Sequence, residues 1–195
     1  MGRGVVVLLV VLGVLAIAAI SIGGYVKTTY NGLVAVDENV KTAWSEVENQ
    51  FQRRYDLIPN YVETVKGYAA HEEEVFTEVA KARSAVGGAG TPQETMDANN
   101  QLGAALSRLL LVVERYPELK ANQNFMMLQD ELAGTENRIG QARRRYNETA
   151  RELNTRIRTF PANIVAGMFG FQRAELFEAD ERASEAPKVN FTEEG

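Results

Sequence analysis

Cysteine is absent from all 195 residues. That excludes disulfides, thiol nucleophiles, thiolate metal sites and a cysteine-linked lipid anchor. Histidine occurs once, at His71, so the usual general base and metal ligand is nearly missing too. A basic excess is also lacking: 21 Lys and Arg against 26 Asp and Glu leave a net charge of -5. The two signs are well mixed, which argues against nucleic acid, whose phosphates demand a basic face. Five prolines in the whole chain leave long stretches free to be helical. No strand-like alternation, internal repeat or long low-complexity tract stands out.

What is present begins with Val5 to Ile22, an uncharged run reading VVVLLVVLGVLAIAAISI. At ~1.5 Å per residue it spans roughly 27 Å, and Gly23 to Val26 extend it to about the ~30 Å of a hydrocarbon core. A continuous helix satisfies its own backbone there, as lipid requires. The competing reading is a cleavable signal, with Arg3 as its basic start and Ala16-Ile17-Ala18 as a small-x-small cleavage site. The run exceeds the apolar length usual for a signal, so a retained anchor is expected. Arg3 and the amino terminus flank one end, and only Lys27 flanks the other closely. Positive-inside counting therefore favours, by about one charge, the N-terminus in the cytoplasm and the domain outside.

Past the anchor, apolar residues recur at alternating steps of three and four. Leu33, Val36, Val40, Ala43, Val47 and Phe51 open a stripe that continues as Arg54, Ile58, Tyr61, Val65, Tyr68, Glu72, Val75, Val79, Ala82 and Val86. This is the period of a coiled-coil-like seam. It predicts one helix from about Asn31 to Ala85, kinked near Tyr55 to Ile58 because Pro59 removes a backbone bond. Gly87-Gly88-Ala89-Gly90 ends it. Thr91, Pro92 and Glu94 then spell a capping box with proline at the first helical position. Leu102, Leu106, Leu109, Val113 and Tyr116 mark the next buried face, closed by Pro117. A third segment, from Glu118 or Ala121, carries Phe125, Leu128, Leu132, Thr135, Ile139, Ala142, Tyr146, Thr149, Leu153 and Ile157. Arg143, Arg144, Arg145 and Arg151 read as its solvated, ion-paired outer face.

These patterns predict an all-α fold, an antiparallel bundle of three to four long rods preceded by a single transmembrane helix. The expected divisions are a short tail at 1–4, the transmembrane helix at 5–26, the bundle at 30–183 and a flexible acidic tail at 184–195.

Chemistry is thinly represented. His71 precedes Glu72, Glu73 and Glu74, but position 75 is Val75, so no HExxH pattern forms. Gly87 to Gly90 lies between helices and lacks the strand-loop-helix setting of a phosphate loop. No catalytic, cofactor or metal residue is assigned. Arg54 and Glu72 are the two charges on the stripe. They stand 18 residues apart, about 27 Å along a straight helix, so each must find an opposite charge or backbone group on another helix. Phe160, Met168, Phe169 and Phe171 belong to an uncharged stretch, FPANIVAGMFGF, that is either core or a contact surface.

Several blocks resemble the LemA family. They are Tyr30 to Val34, Ala43-Trp44-Ser45, Arg53 to Asn60 (RRYDLIPN), Val65 to Ala69 and His71-Glu72. Tyr116 to Ala121 (YPELKA), Tyr146-Asn147, Phe160-Pro161 and Gly170-Phe171 join them. The resemblance runs from the anchor to about Phe177, with the acidic end after Glu178 outside it. It implies a bacterial protein held in the cytoplasmic membrane by one N-terminal helix, with a long-helix bundle and no established enzymatic activity. Relatives occur among magnetosome membrane proteins, and members are often found beside a membrane metalloprotease or a TPM-domain protein. The leading expectation is a non-enzymatic scaffold that contacts the bilayer, forms homo-oligomers and engages another membrane protein. A small-ligand sensor and an adaptor or regulator of a membrane protease are the alternatives. Self-association is expected through exposed helix faces, the Phe160 to Phe171 segment and a small-xxx-small pair, Ala19 and Gly23.

Overall fold

A computed structural model describes residues 2–177 of the chain. The acidic tail expected at 184–195 lies outside the described residues. These form six helices and no strand, so the fold is all-α.

The first helix, α1, spans Arg3–Lys66 without interruption. Its apolar start is bare: the large side chains from Val5 to Ile22 are all exposed. Burial begins at Leu33 and then recurs at Val36, Val40, Ala43, Val47, Phe51, Arg54, Ile58, Tyr61 and Val65. Anchor and seam are thus one rod, with no linker where the anchor gives way to the bundle.

The helix does not run on to Ala85 as the stripe suggests. Pro59 lies inside α1, but the rod stops at Lys66. The amide N–H groups of Tyr68 and Ala69 both donate to the Val65 carbonyl, at 3.0 and 2.9 Å, which tightens the last turn. Gly67, a poor helix former, sits at this break. The turn puts Ala69 in the core and leaves Tyr68 exposed. The second helix, α2 (Glu73–Gly88), then presents Phe76, Val79 and Ala82. A separate rod therefore begins after the turn at Lys66, while Pro59 stays inside α1.

α3 (Pro92–Val113) opens on the expected box. The Glu94 amide donates to the Thr91 hydroxyl at 3.2 Å, and the Glu94 carboxylate accepts from the Gly90 and Thr91 amides at 2.8 and 3.1 Å. Those backbone donors, Gly90 first, hold its carboxyl below the usual range. Pro117 does not simply close α3; it starts α4 (Pro117–Lys120), a single turn. α5 (Gln123–Arg156) begins later than the sequence suggests, where the Asn122 side chain accepts from the Phe125 amide at 3.1 Å. α6 (Ala162–Phe169) is short and ends at Gly170, whose φ of 73° suits glycine. The Phe171 amide reaches back to the Ala166 carbonyl at 3.0 Å, a Schellman-type closure.

α5 runs antiparallel along α1. Arg53 pairs with Glu131 at 2.6 Å and Arg145 with Glu46 at 3.2 Å, while Arg156 lies beside Gly32. α2 and α3 are antiparallel as well, tied by Arg108–Glu78 at 2.6 Å. Two cores result. At the far end, Ile58, Tyr61 and Val65 of α1 meet Phe76 and Val79 of α2, Leu102 and Leu109 of α3, Leu119, and Phe125 of α5. At the anchor end, Leu33 to Phe51 of α1 meet Ile139 to Leu153 of α5, joined by Val165 and Ala166 of α6 and by Phe177.

Candidate functional site

The buried polar side chains among the described residues are Arg54, Asn99 and Thr135. Each stands where its helix passes from one core to the other. Arg54 lies between Phe51 and Ile58 on α1, Asn99 between Met96 and Leu102 on α3, and Thr135 between Phe125 and Ile139 on α5. Together they make a polar waist.

Arg54 donates to the Glu136 carboxylate at 3.0 Å. Its side chain is 8% exposed and that of Glu136 58%, so a buried cation faces a solvated anion. Burial lowers the Arg54 pKa and Glu136 partly offsets it. The close fit needs Gly103, where a Cβ would sit 3.2 Å from the guanidinium. Arg143 is not on the outer face as the arginine cluster suggests. It is half-buried, donates to Asn100 at 3.1 Å, and lies over the rings of Phe51 and Phe177 at 5.4 and 4.9 Å. Burial lowers its pKa; Glu136 opposes this and Arg54 adds to it. Arg54 is thus ion-paired with Glu136, while Arg143 feels that carboxylate only as a nearby charge. Thr135 donates to the Glu131 carbonyl at 2.8 Å, and Asn99 donates to the Thr95 carbonyl at 2.9 Å. The Asn99 side-chain oxygen accepts from no group among the described residues.

Glu72 meets a different partner. It lies in the turn before α2 and pairs with Arg115 at 2.8 Å, with the Tyr116 hydroxyl at 3.3 Å. Arg54 and Glu72 are therefore in separate places, and His71, which precedes Glu72 in the chain, is exposed.

A second feature escaped the periodicity altogether. Residues 171–177 turn back along α5 without helix and are held by side chains spaced seven apart. Asn154 donates to the Ala174 carbonyl at 2.8 Å and accepts from its amide at 2.9 Å. Asn147 does the same for Phe177, at 3.0 and 2.9 Å. The Tyr146 hydroxyl donates to the Glu175 carbonyl at 2.8 Å. Phe177 is thereby set among Trp44, Phe51 and Tyr146, with ring centroids 5.5 to 6.4 Å apart. The uncharged stretch before it is split. Val165 and Ala166 are core and Phe171 is half-buried, while Phe160, Met168 and Phe169 are exposed.

Two shallow clefts are present. One of about 460 Å³ lies between the end of α1 and α2, beside Lys66, Glu73 and Phe76. Another of about 310 Å³ is lined by Glu48, Tyr55, Gly87 and Asn99. The described residues hold no group of three or more acidic, His or Cys side chains that could bind a metal. The waist offers charge and hydrogen bonding, with no nucleophile–base pair.

Residues 43–191 match the LemA family. The chain belongs to the LemA family. The match starts after the anchor and extends into the acidic end, so that end is part of the LemA pattern and not outside it as the motif blocks suggest. Among similar proteins, magnetosome protein MamQ 2 of Paramagnetospirillum magneticum is 28% identical over 97% of this chain and 78% of its own length. Magnetosome protein MamQ of Magnetospirillum gryphiswaldense is 28% identical over the same shares. Protein LemA of Metamycoplasma hominis is 24% identical over 77% of this chain and 69% of its own. The two LemA-like blocks now have places. RRYDLIPN carries Arg54 into the waist, and YPELKA forms the α3–α5 connection with Leu119 at its centre.

Proposed function

We propose that this LemA-family chain is a membrane-anchored, non-enzymatic scaffold that forms homo-oligomers and engages another membrane protein. One observation carries the reading: α1 continues from an apolar run of transmembrane length into the bundle seam as a single helix. From Lys27 to Lys66 that rod reaches ~60 Å beyond the anchor at ~1.5 Å per residue. Such a shape offers long faces and little enclosure. The alignments with the magnetosome proteins take in nearly all of this chain, which supports an anchored architecture in common with them. The relatives are bacterial, and the balance of Arg3 against Lys27 favours the cytoplasmic membrane, N-terminus inside and bundle outside. Confinement in a plane raises effective concentration, so weak lateral contacts suffice. Ala19 and Gly23 leave a narrow strip on the anchor where two helices can approach, and nothing lies within 4 Å of a Cβ built at Gly23.

Light scattering of the full-length protein in mild detergent tests self-association. An oligomer is expected, and Gly23→Leu with Ala19→Leu should reduce its size. A monomer at all concentrations rejects the oligomer. A second reading, a small-ligand sensor, is favoured by Asn99: a buried amide oxygen beside the 310 Å³ cleft. Thermal-shift measurements with small hydrogen-bond donors would separate the two, since a scaffold shows no saturable shift.

A further inference from the structure

We infer that α6 rests in the bilayer surface beside the anchor, as a second, in-plane contact with anionic lipid. This depends on the anchor reading given above. α5 climbs toward the anchor and brings Arg156 beside Gly32. The chain then reverses and is back against α1 at Phe171, whose ring lies 5.9 Å from that of Tyr30. From there it descends along α5 to Asn154 and Asn147. α6 is the tip of that reversal.

Its buried side, Val165 and Ala166, joins the anchor-end core. Phe169 lies against Tyr30 with ring centroids 4.6 Å apart. Tyr30 is one helical turn past Val26, the last residue of the apolar run, or ~6 Å along the axis. Val26 itself packs on the same core. The other side of the tip is bare. Phe160, Ile164 and Met168, spaced by four, are 76, 54 and 69% exposed. An exposed apolar patch facing water marks an interface, and the tip that carries this one touches Tyr30, about a turn past the apolar run, through Phe169.

Charge identifies the occupant. From Arg156 to Ala174 the chain holds Arg156, Arg158 and Arg173 and no acidic residue. On α1, Lys27 is the one charge between Arg3 and Asp37. Arg156 pairs with Glu152 at 2.8 Å, so the basic collar that a protein of net charge -5 carries at this end consists of Lys27, Arg158 and Arg173, all exposed. Exposed apolar side chains flanked in the chain by cations is the composition of an interfacial segment on anionic lipid. A second copy on the same face would bring like charges together, which opposes docking.

Because the chain lacks cysteine, single-cysteine spin labels test this directly. Full-length protein bearing Met168→Cys is reconstituted in vesicles of phosphatidylcholine with phosphatidylglycerol, with Leu12→Cys and Leu111→Cys as references. Leu12 lies in the anchor, and Leu111 is 70% exposed at the end of α3. The Met168 label should collide more with oxygen than with a water-soluble nickel chelate, at a depth of about 5–10 Å. Phe160→Glu with Ile164→Glu should reverse that preference and leave the Leu12 label unchanged. A Met168 label that behaves like Leu111 while Leu12 reads lipid overturns the inference and leaves the anchor standing. A water-like Leu12 label overturns both. Spin–spin broadening at Met168 without oxygen preference assigns the face to a second copy and overturns the lipid contact. An unchanged depth in phosphatidylcholine alone overturns the anionic requirement.

Discussion

At the far end of the bundle five helical segments, α1 to α5, share one core; at the anchor end two long helices do, completed by Met96 of α3, by α6 and by a non-helical segment. The chemistry differs accordingly. The far core is mostly aliphatic, with Ile58, Val65, Val79, Leu102, Leu109 and Leu119 packed around Tyr61 and Phe125. The anchor core leans on rings: Trp44 stands 5.3 Å from Tyr146 and 5.9 Å from Phe177. Two helices alone leave a groove along their contact line. Large flat side chains fill it, and aromatic pairs add about 0.5–1.5 kcal/mol each beyond burial. The backbone of residues 171–177 has no strand beside it to bond, so Asn147 and Asn154 supply both donor and acceptor. The five segments of the far core need no such clamp, because their seams cover one another.

The two cores should therefore respond differently to the same cut. Phe125→Ala removes a fully buried ring from the far core and should cost about 3–5 kcal/mol. Phe177→Ala should cost less, about 2 kcal/mol, because its segment can move to relieve the cavity. Denaturant unfolding of the full-length protein in detergent measures both. Trp44 is the sole tryptophan and touches Phe177, so its emission should change in folded Phe177→Ala and stay put in folded Phe125→Ala. Equal costs, or a Trp44 signal blind to Phe177, would erase the distinction.

The waist between the cores is the next place to press. Glu136→Gln leaves the buried Arg54 guanidinium without its carboxylate partner and should cost about 3 kcal/mol. Arg54→Met is expected to cost under about 1 kcal/mol, since the linear side chain can pack where the stem now lies and Glu136 returns to water. The reverse ranking would mean that water already reaches the Arg54 guanidinium.

The mildest test falls in the far core. The Tyr61 hydroxyl is buried and makes no hydrogen bond among the described residues, and burial pushes its pKa up to about 12. Folding favours the neutral phenol, so that contribution is complete below the ordinary value of about 10 and is lost as pH rises through about 12. Tyr61→Phe should gain about 1 kcal/mol at neutral pH by removing an unpaired hydroxyl. It should also flatten the fall in stability over that alkaline window, as thermal melts across the range would show. A variant as alkali-sensitive as the parent would assign the effect to another tyrosine.

Much of this was legible along the chain. The apolar run, the seam from Leu33 to Val65, the Thr91–Glu94 box and the burial of Arg54 all follow from neighbours three or four residues apart or from one uncharged stretch. Those are local properties of a helix. The partner of Arg54 was not legible, because Glu136 is one carboxylate among many on α5 and only the antiparallel register selects it. Arg143 looked like its arginine neighbours; its packing over Phe51 and Phe177 depends on where residues 171–177 return. The Asn147 and Asn154 clamps left only a seven-residue spacing that many surface asparagines share. The end of α1 was misread because the stripe keeps its phase through Tyr68 and Glu72, and nothing local announces that Ala69 replaces Tyr68 in the core. Sequence by itself determined which residues can face inward on each rod and that one rod is apolar enough for lipid. Tertiary structure alone decided which rods meet, which charges pair at the waist, and that the tip of a chain reversal lies against Tyr30 at the end of the anchor. Such contacts join residues many turns apart, and their free energy exists only once the helices have come together.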